Sequence, residues 1–297
     1  MPRSQRGMAM LVVLLTIAIM ALLATTANQY GMQALARAES SQAFQQSKWD
    51  LLSAERWFLN SQPLQKPQLV VRQRQFGEQL IQFELLDHQA CFNLNTLLPQ
   101  RVTDPALQVP PPMAHQVFVH MLSNLGMARP QAEALMQQVI SLVKPDPLVN
   151  KWRLFDEISQ IKRLPTVTPD LWRQLQPLLC AVPETNIAIN INGLTDRQLP
   201  LMRALFANTL SIKQVQSLLD SRPPQGWADL SALIKPLNMT TIGPAIALLQ
   251  SVLATRSDRY ELLMWSNHPT IFAALRSRIQ HQDGQYRITA RLHGLSE

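Results

Sequence analysis

Residues 1–30 read MPRSQRGMAMLVVLLTIAIMALLATTANQY, and this stretch decides the architecture. Arg3 and Arg6 stand ahead of Met8–Ala27, a run of twenty residues without a charge. At about 1.5 Å per helical residue such a run spans ~30 Å, the thickness of a bilayer's hydrocarbon core. The next charge is Arg37, so the excess of positive residues lies before the span and sets the N-terminus in the cytoplasm. Everything after residue 30 is then expected outside the cytosol. The same segment also fits a secretory signal cut at Thr25-Thr26-Ala27, or a plain uncleaved anchor.

Working outward, no proline interrupts residues 28–60, and Gly31 is the one weak point in a helix that continues beyond the membrane. Phe44, Leu51, Ala54 and Phe58 recur on one face, with Trp49 and Trp57 as further packing aromatics, and Pro63 and Pro67 end the helix. Alternation in Ile81-Gln82-Phe83-Glu84-Leu85 predicts a strand, and Tyr260, Leu262 and Met264 predict another. Near the C-terminus Ile271, Ala273, Leu275 and Ile279 lead into Asp283-Gly284, and Tyr286, Ile288, Ala290 and Leu292 lead out, which is the pattern of a tight hairpin. Between these strands, residues 113–125, 130–143, 153–163, 169–180, 195–207, 211–221, 227–235 and 242–254 read as short helices. Thr168-Pro169 and Arg129-Pro130 give proline at a first turn, and Thr195 and Ser211 are cap residues. The sheet is split by a helical block.

Composition narrows the function. The chain has 297 residues, 46% of them apolar, with a net charge of +7 spread without any run of five like charges, so a solvated basic surface is expected rather than a nucleic-acid groove. No G-x-S-x-G, H-E-x-x-H or phosphate loop is present, and His88 near Cys91 lacks a second His/Cys pair for zinc. Asp156-Glu157 reads as a solvated pair. Nothing points to an enzyme.

Particular residues then carry a family resemblance. Arg6-Gly7 directly before the apolar run resembles the type IV prepilin or pseudopilin signal. Cys91-Phe92-Asn93-Leu94-Asn95-Thr96-Leu97, Leu178-Leu179-Cys180-Ala181-Val182-Pro183, Asn190-Ile191-Asn192-Gly193-Leu194, and Arg222-Pro223 with Gly226-Trp227 and Leu230 are similar, in order and spacing, to the type II secretion minor pseudopilin K family (GspK). The third segment departs from that family's "NINT" at Gly193. The resemblance covers nearly the whole chain.

It implies an α+β pilin fold with a long N-terminal transmembrane and stalk helix, an antiparallel sheet, and a large all-α insertion of helix-hairpin-helix or SAM-like type. The expected organisation is a prepilin leader over 1–7, the transmembrane and stalk helix over 8–62, first head strands over 63–111, the insertion over 112–256 and C-terminal head strands over 257–297. Prepilin peptidase would cut between Gly7 and Met8 and methylate the new N-terminus. Val12, five residues into the mature chain, stands where most pilins carry glutamate, and an apolar residue there marks a tip subunit with no preceding amine to neutralise. The implied partners are minor pseudopilins of I and J type, prepilin peptidase and the inner-membrane assembly platform, with nucleic acid not expected.

The implied place is a single-pass inner-membrane protein with its C-terminal domain in the periplasm, where it starts the pseudopilus that exports folded proteins. Cys91 and Cys180 are expected to form a disulfide joining sheet to insertion, worth ~4 kcal/mol by chain entropy, against the alternative of two buried free thiols. Asn93, Asn95, Asn190 and Asn192 are expected to bond nearby backbone. No cofactor is expected. Relatives can bind calcium in the insertion, but Asp146, Asp156 and Glu157 are scattered here. The alternative reading is a membrane-anchored periplasmic helix-hairpin-helix DNA-binding protein, with Gly193 and Ile242-Gly243-Pro244 as its candidate hairpins.

Overall fold

The computed structural model describes residues 4–61, 72–77, 79–98, 113–143, 145–146, 151–267 and 272–294. Pro63, Pro67 and Ile271 lie outside them. Helix α1 (Ser4–Ser61) is continuous through Gly31 and, at 58 residues, extends ~87 Å. Its N-terminal half is exposed, Met8, Val12, Ile17 and Leu22 included. This is the one described helix long and apolar enough to cross a membrane.

The C-terminal half of α1 packs on a five-stranded antiparallel sheet. Strands β1 (Arg72–Phe76), β2 (Gln79–Asp87), β3 (Arg259–Asn267), β4 (Phe272–Gln282) and β5 (Gln285–His293) lie side by side in chain order. The sheet thus closes β2 directly on β3, registering Phe83 with Met264 and Leu85 with Leu262, although more than 170 residues separate them. Asp283 and Gly284 both adopt positive φ (54° and 74°), the left-handed geometry a two-residue hairpin requires. Leu51, Ala54 and Phe58 of α1 meet Ile81, Phe83, Leu262, Met264 and Leu275 in one core.

Two expected packing residues differ. Phe44 shares the angular position of Leu51 but lies two turns nearer the N-terminus, and is half exposed; Trp49 is about 200° around the helix from Leu51 and faces solvent. Ser47 and Glu55 take the buried places on that face instead. Trp57 lies at its edge, tilted against Phe83 with the Arg74 guanidinium 4.2 Å over its ring.

The insert has a second, separate core. Helices α2 (Met113–Asn124), α3 (Arg129–Ser141), α4 (Pro169–Leu175), α5 (Leu199–Leu205), α6 (Ile212–Asp220), α7 (Leu230–Ile234) and α8 (Met239–Val252) surround it. Thr168, Ser211, Asp229 and Asn238 cap helices by accepting backbone N–H groups. The sequence overstates helix at four places, one of them residues 227–229, which precede α7. Residues 153–157 are not helical, with only a 3₁₀ turn over Ile158–Arg163, because Phe155 is held by Asn95. The helix from Pro169 gives way at Pro177, so Leu179–Cys180 can pair in parallel with Phe92–Asn93. Before α5 the chain passes through a 3₁₀ turn (Asp196–Gln198), with Thr195 and Gln198 forming a capping box. Helix α8 starts three residues early, at Met239, and carries Pro244 inside it.

Candidate functional site

Two junctions give this fold its mechanical character: stalk on sheet, and insert on sheet. At the first, Glu55 is buried on the sheet face of α1. Arg291 of β5 donates Nε to both of its carboxylate oxygens (3.1 and 3.0 Å) and Nη2 to Oε2 (2.7 Å), while the Ser277 hydroxyl of β4 also donates to it. Ser277 and Arg291 are register partners, so both reach the same face of the sheet. The carboxylate in turn keeps the Arg291 guanidinium above its ordinary pKa. A planar fork on a buried carboxylate fixes angle as well as distance, so the stalk is held in one axial position. Farther down, Gln79 donates to Ser47 at 2.7 Å.

At the second junction the chain leaves the sheet at Asp87 and returns at Ser257. The half-buried Asp87 carboxylate accepts from Gln89 N–H (2.8 Å), Ser257 hydroxyl (2.6 Å) and Asn190 Nδ2 (2.8 Å). Burial nonetheless pushes its pKa above the ordinary carboxylate value. Cys91 and Cys180 are disulfide-bonded, Cα atoms 5.8 Å apart, beside the parallel pair. On the far face of the sheet Glu157 meets Arg278 at 2.6 Å and Arg276 at 3.6 Å. Glu261 lies beneath them, 3.3 Å from His88, 3.4 Å from Arg276 and 3.7 Å from Arg278. Burial raises the Glu261 pKa, but His88 and the two arginines outweigh it and hold the group below the ordinary value. A cavity of about 480 Å³ runs between sheet and insert here, lined by these charges, Trp172 and the disulfide.

The four asparagines bond backbone. Asn93 accepts from Asn95 N–H and Val182 N–H and donates to Val182 and Glu184 carbonyls. Asn95 accepts from Phe155 N–H (2.7 Å) and donates to the Phe155 and Val182 carbonyls. Asn192 does the corresponding work farther on, accepting from Trp227 N–H and donating to the Trp227 and Thr255 carbonyls, whereas Asn190 accepts from Asn192 N–H but donates to the Asp87 and Ser257 side chains.

Of the sites expected from sequence, Cys91 and Cys180 are brought together. Gly7 lies in the opening turns of α1, and Met8 and Val12 stand exposed on it. Glu157 is neither helical nor freely solvated, since it reaches the strand arginines. The phosphate-hairpin candidates are shut: Asp87 and Ala90 crowd the place a Cβ on Gly193 would take, which sets a carboxylate where phosphate would have to sit, and Gly243 is inside α8. Among the described residues no three His, Cys, Asp or Glu side chains converge as metal ligands. Sequence reasoning missed Glu55 and Arg291. The available signal was an acid four residues from Leu51 and three from Phe58, on the apolar face of the stalk.

A long helix bare in its apolar half and locked on an antiparallel sheet through the other half defines a pilin-type subunit. Profiles of the family described as type II secretion system (T2SS), protein K, match residues 90–184 and 189–256. A type II secretion system protein K from Pectobacterium carotovorum subsp. carotovorum is 32% identical over 261 residues, covering 77% of this chain and 79% of the relative. The protein of the same name from Klebsiella pneumoniae is 26% identical over 325 residues, covering 99% and 98%. A chain in the crystal structure of the GspK-GspI-GspJ complex from enterotoxigenic Escherichia coli shares the fold at a TM-score of 0.68 and 24% identity, over 88% of this chain and all of that one. The chain belongs to the type II secretion system protein K family.

Proposed function

We propose that this chain acts as a minor pseudopilin at the tip of the type II secretion pseudopilus, as an assembly subunit and not an enzyme. The observation that carries the reading is α1: apolar and exposed over its first half, and locked to the head through Glu55 and Arg291 over its second. Such a helix can pass through a membrane and pack on neighbouring stalks while transmitting force to the head. The organisation proposed is a leader over 1–7, stalk over 8–62, head strands over 63–111 and 257–297, and insert over 112–256.

In this reading prepilin peptidase cuts between Gly7 and Met8, on the cytoplasmic face of the inner membrane, and the head lies in the periplasm. The partners are the I and J minor pseudopilins and the assembly platform, in keeping with the complex in which the structural relative was solved. Val12 leaves no carboxylate to seek the amine of a subunit ahead, and the insert makes the head too broad to sit beneath another. No cofactor enters this reading; a calcium titration of the purified chain by calorimetry would give heat only if the insert held the ion.

The test is the mass and N-terminal sequence of the protein recovered from native membranes. A chain that starts at methylated Met8 supports the reading. One that starts at Asn28, or an intact Met1, overturns it.

A further inference from the structure

The two hydrophobic cores share no residue, and among the described residues no apolar side chain of the sheet belongs to the core of the insert. What holds the insert on the far face of the sheet is charge. Glu157 reaches Arg278 and Arg276 of β4, Arg278 also donates to the Asp156 carbonyl (3.0 Å), and Glu184 pairs with Arg259 of β3. Arg259 and Glu261 alternate along β3, and Glu261 is the register partner of Arg278. The sheet's side of this contact is therefore one patch of three arginines around a carboxylate.

The patch is paired but not sealed. Glu157 and Glu184 keep 36% and 38% of their side-chain surface open, so dissolved ions reach and screen them. Arg259 Nε, Arg276 Nε, Arg278 Nε and Glu184 Oε2 are buried without a hydrogen-bond partner in the chain. A permanent interface removes that cost by fuller pairing or by apolar packing. Glu157, Arg276 and Arg278 instead line the cavity of about 480 Å³ between insert and sheet.

The insert is stiff around its two acids. Asn95 holds Phe155, two residues before Glu157, and Asn93 donates to the Glu184 carbonyl. The Cys91–Cys180 bridge ties the strands between them. Both glutamates therefore move with the insert as one body. The chain passes between head and insert at residues 87–90 and 254–258, and these crossings are bound side by side. Asp87 accepts from Ser257 and Asn190, and the Gln89 side chain accepts from Asp258 N–H. Two crossings at one place make a pivot, and a body on a pivot is held by what it touches elsewhere.

We infer that the insert is a rigid arm pivoting on the head at these crossings, closed by an ionic clasp of Glu157 and Glu184 on Arg259, Arg276 and Arg278, and that salt or loss of the two acids opens it. Opening changes how broad a head the stalk presents and uncovers the charged face of the sheet. Such an arm would exist in this chain whatever its place in an assembly.

Double electron–electron resonance on the full chain in detergent reads the angle between head and insert. Nitroxides go on Ser53→Cys of α1 and Ala134→Cys of α3, both exposed. At ~0.01 M salt, where screening extends over ~30 Å, one head-to-insert distance is expected, and at ~1 M, where it shrinks to ~3 Å, a second population should grow. Glu157→Gln/Glu184→Gln should raise that second population ~fivefold or more at low salt. Labels at Ala134→Cys and Ser217→Cys, both within the insert, should keep one distance throughout, which separates pivoting from unfolding. If the double variant fails to fold, the salt series on the labelled parent chain decides alone. A single head-to-insert distance that salt does not move, or a distance within the insert that changes along with it, would overturn the proposal.

Discussion

Arg291, on the edge strand β5, closes a two-pronged grip on Glu55, a carboxylate buried on the stalk helix 236 residues earlier. The last strand is therefore joined to the long helix where that helix meets the sheet. Removing Arg291 strands a buried charge whose remaining donor is Ser277. Arg291→Ala should lower stability by about 3 kcal/mol, while Glu55→Leu/Arg291→Leu should recover most of that loss, because a buried pair costs about as much to desolvate as it returns. Denaturant midpoints followed by tryptophan fluorescence measure both, and equal losses in the single and double variants would contradict this account.

The asparagine bonds of the insert can be broken one side chain at a time. Asn95→Ala takes its partner from the Phe155 N–H and from the Phe155 carbonyl and leaves the Val182 carbonyl only the Asn93 donor, at about 1–3 kcal/mol for each group left unpaired. A loss of 2 kcal/mol or more is expected, read as a lower urea midpoint. Asn95→Asp should fall between, since it keeps the acceptor for Phe155 N–H and loses both donations.

Gly226 has φ +80°, and a Cβ there would come within 2.7 Å of Asn192 Cγ. Gly226→Ala therefore strains the backbone and pushes Asn192 off its Trp227 and Thr255 partners, with an expected cost of ~3 kcal/mol. Gly126 has a similar φ of +89° but open space around it, so Gly126→Ala should cost only about 1 kcal/mol of backbone strain. Thermal melts of the pair separate crowding from strain.

Acid should act on the insert junction in two opposed ways. Glu261 has its pKa held down in the fold, so its contribution is present above the unfolded-chain value and is lost as pH falls through the lower, folded value. Asp87 has its pKa raised, so it favours the fold when protonated, below its unfolded value, and that contribution is lost as pH rises through the folded value. Glu261→Gln should then be destabilising at pH 7 and progressively less so toward pH 3, while Asp87→Asn should flatten the rise in relative stability on acidification. Urea unfolding from pH 7 to pH 3 reads both, and a pH-independent penalty for Glu261→Gln would exclude its charge as the cause.

Much of this was legible in the chain itself, for identifiable reasons. Met8–Ala27 is a twenty-residue run without a charge, so length and composition already specify a helix able to cross a membrane. The hairpin at Asp283-Gly284 follows from two positive-φ positions between alternating strands, and the cap residues announce most helix starts. Residues 153–163 misled because Phe155 carries local helical signal yet is pulled straight by an asparagine sixty positions away. Phe44 misled because periodicity gives a face but not where along the helix the sheet stops.

What the sequence by itself determined is everything set by near neighbours: the apolar span, the strand periods, the turn and the caps, all of which depend on side chains within a few residues. What only the tertiary structure decided is which distant groups meet. Glu55 with Arg291, Glu157 with Arg276 and Arg278, and two asparagine latches holding strands shut are contacts between groups 35 to 236 residues apart. Hydrogen bonds and ion pairs of that reach carry no periodicity in the chain. They exist only after two hydrophobic cores have closed and removed the water that would otherwise satisfy the same groups.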